Sequence, residues 1–168
     1  AAASPKAAPD AAAPAPPDTG VRVLDAMTAS GLRALRYTLE VDEVSQVVAN
    51  DLDPTAVSTL LENVRRNGLT EEQVVPSTGD AVAVMHASKP PTARRFEAVE
   101  LDPYGTAAPF FDAAMGCVAE GGLLMVTCTD LAVLAGAYPE KCHSNYGSWP
   151  LKHKHCHESA LRIVLACA

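Results

Sequence analysis

The chain has 168 residues, a net charge of −7 and a hydrophobic fraction of 48%, which is typical of a globular domain with its own core. No apolar run reaches the roughly 18 residues of a membrane-spanning helix, so no membrane partner is expected. The acidic balance argues mildly against a nucleic-acid partner, although the charge is unevenly spread along the chain. Five widely spaced cysteines indicate reduced, intracellular thiols, with nucleus, cytoplasm and mitochondrion all open.

Residues 1–20 form a low-complexity segment in which 14 residues are alanine or proline. The prolines interrupt any continuous helix, so the segment is predicted to be a disordered tail or linker. A transit peptide would be richer in arginine and serine. The folded part is therefore expected to span residues 21–168.

From residue 21 onward, strand and helix patterns alternate. Strands are predicted at 21–26, 44–50, 73–76, 96–101 and 122–127. Helices are predicted at 31–40, 54–66, 81–88, 107–119 and from about 156 to the end, with 130–154 irregular. This order predicts an α/β fold with a doubly wound, mostly parallel sheet and right-handed crossovers.

The loop after the first predicted strand is rich in small residues. It runs from Asp25 through Ser30 and Gly31 to Arg33, where the first helix begins. Small residues allow a ligand to approach the backbone, and a helix N-terminus offers free N–H groups. Because the loop has one glycine, an ordinary tight turn is the alternative.

Acidic residues follow the second and third predicted strands. Asp51 lies 26 residues after Asp25, close to the offset at which an acid binds a ribose. The alternative is a helix-terminal acid beside Asp53. Asp80 could accept from an adenine amino group while the N–H of Ala81 meets a ring nitrogen, although a capping aspartate fits the spacing nearly as well.

The fourth predicted strand ends in Asp102-Pro103-Tyr104-Gly105. Asp102 can accept a hydrogen bond from an amino group, and Pro103 has no N–H, which leaves carbonyl oxygens free as acceptors. Tyr104 can stack on a flat ring. An ordinary turn is the alternative, but the preceding acids favour an adenosyl cofactor beside a flat, nitrogen-bearing substrate.

The segment from residue 141 to 162 carries four Lys or Arg side chains against one acid. Lys152 and Lys154 are candidates for phosphate contacts, with a solvated charge run as the alternative. Asp130 is favoured as a pocket residue over a helix N-cap. The local cysteines and histidines lack the paired spacing of a zinc site, so no metal is expected. Cys128 is considered as a nucleophile and is disfavoured.

Together these segments resemble the tRNA guanine-26 N2,N2-dimethyltransferase family, which uses S-adenosylmethionine. The matching segments are 25–36, 49–51, 101–105, 126–130 and 156–158. The resemblance implies a Rossmann-like class I methyltransferase fold, truncated at both ends. It implies methyl transfer from S-adenosyl-L-methionine to the N2 of a guanine in tRNA. The open alternatives are a non-catalytic tRNA-binding relative and a nicotinamide-dependent oxidoreductase.

The resemblance also implies roles for individual residues. Catalysis is expected around Asp102, Pro103 and Tyr104. The expected cofactor contacts are Asp25, Ser30, Gly31, Arg33, Asp51, Asp80 and Ala81. The expected substrate contacts are Tyr104, Gly105, Asp130, Lys152 and Lys154. An upstream segment with a cofactor-contacting arginine, the last strands of the sheet and a C-terminal domain that helps hold tRNA are expected to be missing. Glu100 stands where the family often has aspartate.

Overall fold

The computed structural model describes residues 20–90 and 93–168. The predicted tail lies outside the described residues, apart from Gly20. The strands are β1 (Val21–Asp25), β2 (Val44–Asp51), β3 (Val74–Thr78), β4 (Phe96–Leu101) and β5 (Val118–Val126). The helices are α1 (Leu32–Glu40), α2 (Pro54–Arg66), α3 (Ala81–Ala87), α4 (Phe111–Cys117), α5 (Leu131–Leu134), α6 (Pro139–Tyr146) and α7 (Cys156–Cys167). No helix among the described residues is long and apolar enough to cross a bilayer.

The described strands form one sheet in the order β3-β2-β1-β4-β5. Every pairing is parallel, which confirms the predicted α/β fold. The chain moves outward from β1 to β2 and β3, then returns to β4 on the other side of β1 and continues to β5. The loops after β1 and β4 therefore diverge, and a crevice opens between them at the carboxyl ends of the strands.

Apolar side chains cover both faces of the sheet. Leu24 of β1 packs with Met85 of α3 and Phe111 of α4 on one face. Val23, the preceding residue of β1, packs with Leu60 of α2 on the other face. Because successive strand residues point to opposite faces, one strand contributes to both clusters, as a doubly wound sheet requires.

The start of α2 agrees with the sequence. The Asp53 carboxylate accepts a 2.8 Å hydrogen bond from the backbone N–H of Thr55, and Pro54 occupies the first turn. A proline there loses no intrahelical hydrogen bond. Asn67 ends the helix and Gly68 follows with φ +70°. Asp53 is thus a helix cap.

The predicted helix at 107–119 is shorter in the structure. A 3₁₀ turn (Ala108–Phe110) precedes α4, which ends at Cys117, and β5 begins at once with Val118. Phe96 pairs with Val118 but Ala98 pairs with Leu123, so β5 bulges before the ladder resumes. The predicted start at residue 122 is therefore wrong, because the bulge interrupts the regular strand pattern between residues 118 and 123.

The prediction of an irregular segment at 130–154 is wrong, because α5 and α6 lie within it. Both helices are short, and isolated short helices are marginal in water. They are stabilised by packing of Leu134, Cys142 and Tyr146 against Ala160 of α7. That packing joins parts of the chain that local sequence patterns do not connect.

Candidate active site

A cavity of about 620 Å³ lies at the carboxyl ends of the strands, where β1 and β4 diverge. All five strand ends contribute to its lining, through Ala29, Asp51, Asp80, Asp102 and Thr129, each of which lies at or after the end of a different strand. The volume lies in the range of cofactor-sized pockets. Its place in the fold is the one at which open α/β sheets bind ligands.

The loop after β1 is held in a sharp turn by contacts with β2 and α2. Ala29 has φ +49°, an uncommon backbone conformation for a residue with a side chain. Its N–H donates a 2.8 Å hydrogen bond to Asp51 Oδ2. Gly31 has φ +82°, and a Cβ there would lie 2.2 Å from Leu60 Cδ1. The turn therefore depends on Asp51 and on a residue without a side chain at position 31.

Asp51 lies in the cavity wall at the end of β2. Its Oδ1 accepts a 2.9 Å hydrogen bond from the N–H of Asp53, and its Oδ2 is bound to Ala29. Each carboxylate oxygen has two lone pairs, so both can accept a further hydrogen bond from a ligand. The structure thus brings Asp51 to the cavity, while Asp53 caps α2.

Asp80 caps α3 and also lies in the cavity wall. Its Oδ1 accepts a 2.9 Å hydrogen bond from the N–H of Ala83 and so caps α3. Both Asp80 and the adjacent Ala81 also line the cavity. The start of α3 therefore places the Asp80 carboxylate and Ala81 together in the cavity wall.

Asn50 is a cavity residue that sequence analysis missed. It is 1% exposed, and its Nδ2 donates to the carbonyls of Ala26 (3.1 Å) and Gly79 (3.0 Å). Its buried Oδ1 has no partner within the described residues. Because a buried acceptor without a donor is costly, this oxygen favours a ligand that donates. An asparagine at a buried strand end, next to Asp51, was the available signal.

Three residues predicted to contact a cofactor shape the first loop from outside the cavity lining. Asp25 is 2% exposed and accepts a 2.7 Å hydrogen bond from Thr28 Oγ1. Burial raises its pKa to about 6. The Ser30 carbonyl accepts from Asn63 Nδ2 at 2.9 Å, and Gly31 lies against Leu60. These residues build the turn that carries Ala29.

Asp102 lies in the cavity wall at the end of β4 and is paired with Arg33 of α1. Arg33 Nη2 lies 2.6 Å from Asp102 Oδ2, and Arg33 Nη1 pairs with Glu100. Pro103 also lines the cavity, and Tyr104 stands fully exposed at its rim. Arg33 itself is outside the lining, where it contacts an acidic side chain of the cavity.

The loops after β4 and β5 are bonded to each other. Gly105 donates its N–H to Thr129 Oγ1 (3.1 Å) and accepts from the Thr129 N–H (3.0 Å). Cys128 Sγ also donates to the Gly105 carbonyl (3.4 Å). Asp130 accepts a 3.1 Å hydrogen bond from the Tyr146 hydroxyl. Burial, followed by the contact with Cys128, raises the pKa of Tyr146, so this hydroxyl remains a donor.

Tyr146 anchors the loop after β5 from α6, a helix that the sequence did not predict. Asp130 and Gly105 do not line the cavity themselves. Both lie next to the lining residue Thr129, which precedes Asp130 in the chain and is hydrogen-bonded to Gly105. Lys152 and Lys154 are exposed on the α5–α7 side of the molecule, outside the cavity lining. Within residues 20–90 and 93–168, no group of three or more His, Cys, Asp or Glu side chains is arranged to hold a metal ion.

Comparison with protein families gives a match over residues 4–168 to the model described as N2,N2-dimethylguanosine tRNA methyltransferase. A tRNA (guanine(26)-N(2))-dimethyltransferase of Drosophila melanogaster is 51% identical over 150 residues, which are 89% of this chain and 26% of that protein. Its Arabidopsis thaliana counterpart, dimethyltransferase 1, is 52% identical over 145 residues, 86% of this chain and 24% of that protein. The chain thus spans about a quarter of the length of these relatives.

Among solved structures, the chain is similar to Trm1 from Pyrococcus horikoshii in complex with S-adenosyl-L-methionine. The TM-score is 0.80 at 32% sequence identity, covering 88% of this chain and 42% of that one. The sheet order and this likeness together establish a Rossmann-like methyltransferase fold.

Proposed function

This chain belongs to the N2,N2-dimethylguanosine tRNA methyltransferase family, and from that membership we propose that residues 21–168 form part of a tRNA (guanine-N2) methyltransferase catalytic domain. The reaction is transfer of methyl groups from S-adenosyl-L-methionine to the N2 of guanine 26, giving N2-methyl- and N2,N2-dimethylguanosine. The observation that carries the proposal is one cavity with Asp51 and Asp80 in one wall and Asp102, Pro103 and Tyr104 in the other.

The cavity residues fit an adenosyl cofactor. Asp51 offers two acceptor oxygens to ribose hydroxyls, and Asp80 offers an acceptor to the adenine amino group. The backbone N–H of Ala81 would donate to a ring nitrogen, and the buried Oδ1 of Asn50, which has no hydrogen-bond partner among the described residues, would accept from a donor on the ligand. The cofactor supplies a methyl group on a sulfonium sulfur. Asp25, Ser30 and Gly31 support this wall through the loop after β1, and Arg33 of α1 contacts Asp102 in the opposite wall.

The opposite wall suits an aromatic amine. The guanine amine is a poor nucleophile because its lone pair is delocalised into the ring. Acceptors at Asp102 and at the Pro103 carbonyl hold its hydrogens and favour a more tetrahedral nitrogen. Asp102 also takes the proton that methylation releases. Exposed Tyr104 stacks on the base once the base has left its own stack in the RNA.

The partner is tRNA, with phosphate contacts at Lys152 and Lys154 and further substrate contacts through Gly105 and Asp130. A C-terminal domain of the same protein is expected to help hold the tRNA, as the resemblance implies.

Five free cysteines fit a reduced, intracellular setting.

Two measurements test the proposal. Calorimetry is expected to detect binding of S-adenosylmethionine and none of NAD; binding of NAD alone would instead favour an oxidoreductase. Methyl transfer to unmodified tRNA by the full-length protein, followed by nucleoside analysis, is expected to yield methylated guanosine at position 26. A protein that binds cofactor and tRNA yet transfers no methyl group would be a non-catalytic relative.

A further inference from the structure

The proposed catalytic loop, Asp102–Gly105, is held at both ends by the segment that follows β5. Just before the loop, the Leu101 carbonyl accepts a 2.8 Å hydrogen bond from the N–H of Thr127. At the end of the loop, Gly105 donates its N–H to Thr129 Oγ1 (3.1 Å) and accepts from the Thr129 N–H (3.0 Å). The position of the whole loop therefore depends on residues 127–129.

The end of the loop has no side-chain packing of its own to hold it. Gly105 has φ +85°, and a Cβ built on it would meet nothing within 4 Å. The side chain of Tyr104 is fully exposed, so no surrounding side chains enclose it. The two backbone hydrogen bonds to Thr129 are therefore the contacts that fix this end of the loop.

Tyr146, the last residue of α6, anchors the supporting segment. Its hydroxyl donates a 3.1 Å hydrogen bond to Asp130 Oδ2 and lies 3.4 Å from Cys128 Sγ. Asp130 stands at the N-cap position of α5 but makes no side-chain capping hydrogen bond there. Because Cys128 and Asp130 flank Thr129 in the chain, one hydroxyl contacts both neighbours of the residue that binds Gly105.

The Tyr146 side chain is itself held in place by burial. It is 6% exposed and packs with Leu134, Cys142 and Ala160. Burial, followed by the contact with Cys128, raises the pKa of Tyr146, so the phenol stays protonated and donates. A packed aromatic ring thus places one hydroxyl behind the segment that supports the loop.

Resting on the proposed function, we propose that Tyr146 and Thr129 are positioning residues that hold the Asp102–Gly105 loop for the substrate base. Tyr146 fixes Thr129 through the residues on either side of it, and Thr129 fixes the end of the loop. The acceptors and the aromatic ring of the loop must meet the guanine base at the same time. A loop that is already fixed before the base arrives satisfies this requirement.

The test compares Tyr146→Phe and Thr129→Val with the wild type, all in the full-length protein. Tyr146→Phe keeps the buried ring and removes its hydroxyl, and Thr129→Val removes the acceptor for the Gly105 N–H. Single-turnover methyl transfer at saturating cofactor and tRNA is expected to slow roughly 10- to 100-fold in both, as for a reacting group displaced by about 1 Å. The calorimetric Kd for S-adenosylmethionine is expected to change less than about threefold.

Thr129→Ser supplies a rescue that general destabilisation would not show. Serine keeps the hydroxyl that accepts from Gly105, so transfer is expected to slow less than about threefold. The double variant, Tyr146→Phe with Thr129→Val, is expected to cost less than the product of the two single effects, because both changes act on one hydrogen-bonded segment.

Tyr138→Phe is the matched control. Tyr138 directly precedes α6, is exposed, and makes no side-chain capping hydrogen bond to that helix. Loss of its hydroxyl is expected to leave both the transfer rate and the Kd unchanged.

Several outcomes would overturn the positioning role. These are unchanged transfer in Tyr146→Phe and Thr129→Val, slower transfer with a matching loss of cofactor affinity, and equal losses in Thr129→Ser and Thr129→Val. If Tyr146→Phe does not fold, as judged by circular dichroism, the two Thr129 variants decide. A wild-type protein that binds cofactor but never methylates tRNA would overturn the proposed function itself, and the wild type alone reveals that outcome.

Discussion

The backbone N–H of Ala29 donates a 2.8 Å hydrogen bond to Asp51 Oδ2 and so ties the loop after β1 to the end of β2. Ala29 has a positive φ, which needs support from its surroundings. The same carboxylate lines the cavity as the proposed ribose ligand. The Asp51 side chain therefore both stabilises the loop after β1 and lines the cavity.

Asp51→Ala is expected to weaken S-adenosylmethionine binding roughly 10- to 100-fold. The variant loses a net contribution equivalent to one hydrogen bond to a charged acceptor, about 1.5–3 kcal/mol, and about 1.4 kcal/mol corresponds to a tenfold change in Kd. Calorimetry measures the effect. Asp53→Ala is the control, since Asp53 caps α2 only: it is expected to cost about 1 kcal/mol of stability and leave the Kd unchanged. An unaltered Kd for Asp51→Ala would contradict the ribose role.

Asp102→Asn is expected to lower the rate of methyl transfer about 10²- to 10⁴-fold, because the amide can neither take a proton nor pair with Arg33 as an anion. Cofactor affinity is expected to stay near the wild-type value. Single-turnover transfer and calorimetry measure the two quantities. Asp112→Asn, at an exposed acid in the first turn of α4, serves as the control and is expected to transfer normally. Wild-type transfer by Asp102→Asn would remove Asp102 from the mechanism.

Asp25 is expected to make stability depend on pH. Burial raises its folded-state pKa from 3.8 to about 6, so the folded state binds this proton more tightly than the unfolded state. Its contribution is fully present below about pH 4 and is lost as pH rises through about 6. Asp25→Asn removes this titration.

When the pH is raised from about 4.5 to about 7.5, the wild-type protein should therefore lose about 2 kcal/mol in free energy of unfolding that the variant does not lose. Urea unfolding at both pH values measures the difference. Parallel stability curves for the two proteins would show that Asp25 titrates normally.

Gly31→Ala is expected to be more destabilising than Gly68→Ala. Both glycines have a positive φ, +82° and +70°, so each alanine pays a similar backbone penalty of about 1–2 kcal/mol. Only at position 31 would the new Cβ lie within 2.2 Å of Leu60 Cδ1; at position 68 nothing lies within 4 Å. The clash adds about 1–3 kcal/mol. Equal urea midpoints for the two variants would mean that Leu60 moves aside without cost.

The sheet and several cavity residues could be predicted because buried parallel strands appear as apolar runs. Their carboxyl ends meet at one edge, so acids that directly follow such runs, such as Asp51, Asp80 and Asp102, converge. The contacts that join Tyr37 to Glu100, and Arg33 to Glu100 and Asp102, could not be predicted. Glu100 lies 67 residues from Arg33, and the two meet only because β4 inserts beside β1.

The short helices of the C-terminal third were missed for a related reason. α5 has four residues, too few to show a helical period, and Asp130 at its N-cap position makes no side-chain capping hydrogen bond. The contact of Tyr146 with Asp130 depends on α6 packing against α7, which is decided by tertiary burial. Short helices of this kind form because tertiary packing stabilises them, and their local sequence alone does not predict them.

The amide of Asn50 joins the Ala26 carbonyl after β1 to the Gly79 carbonyl after β3. Two loops on either side of β2 are thereby braced through a single buried group. A ligand that enters meets a wall whose shape is already set, so little conformational entropy is lost on association. The enclosing loops are preorganised, and affinity in this cavity is governed by contacts with the ligand more than by ordering of the protein.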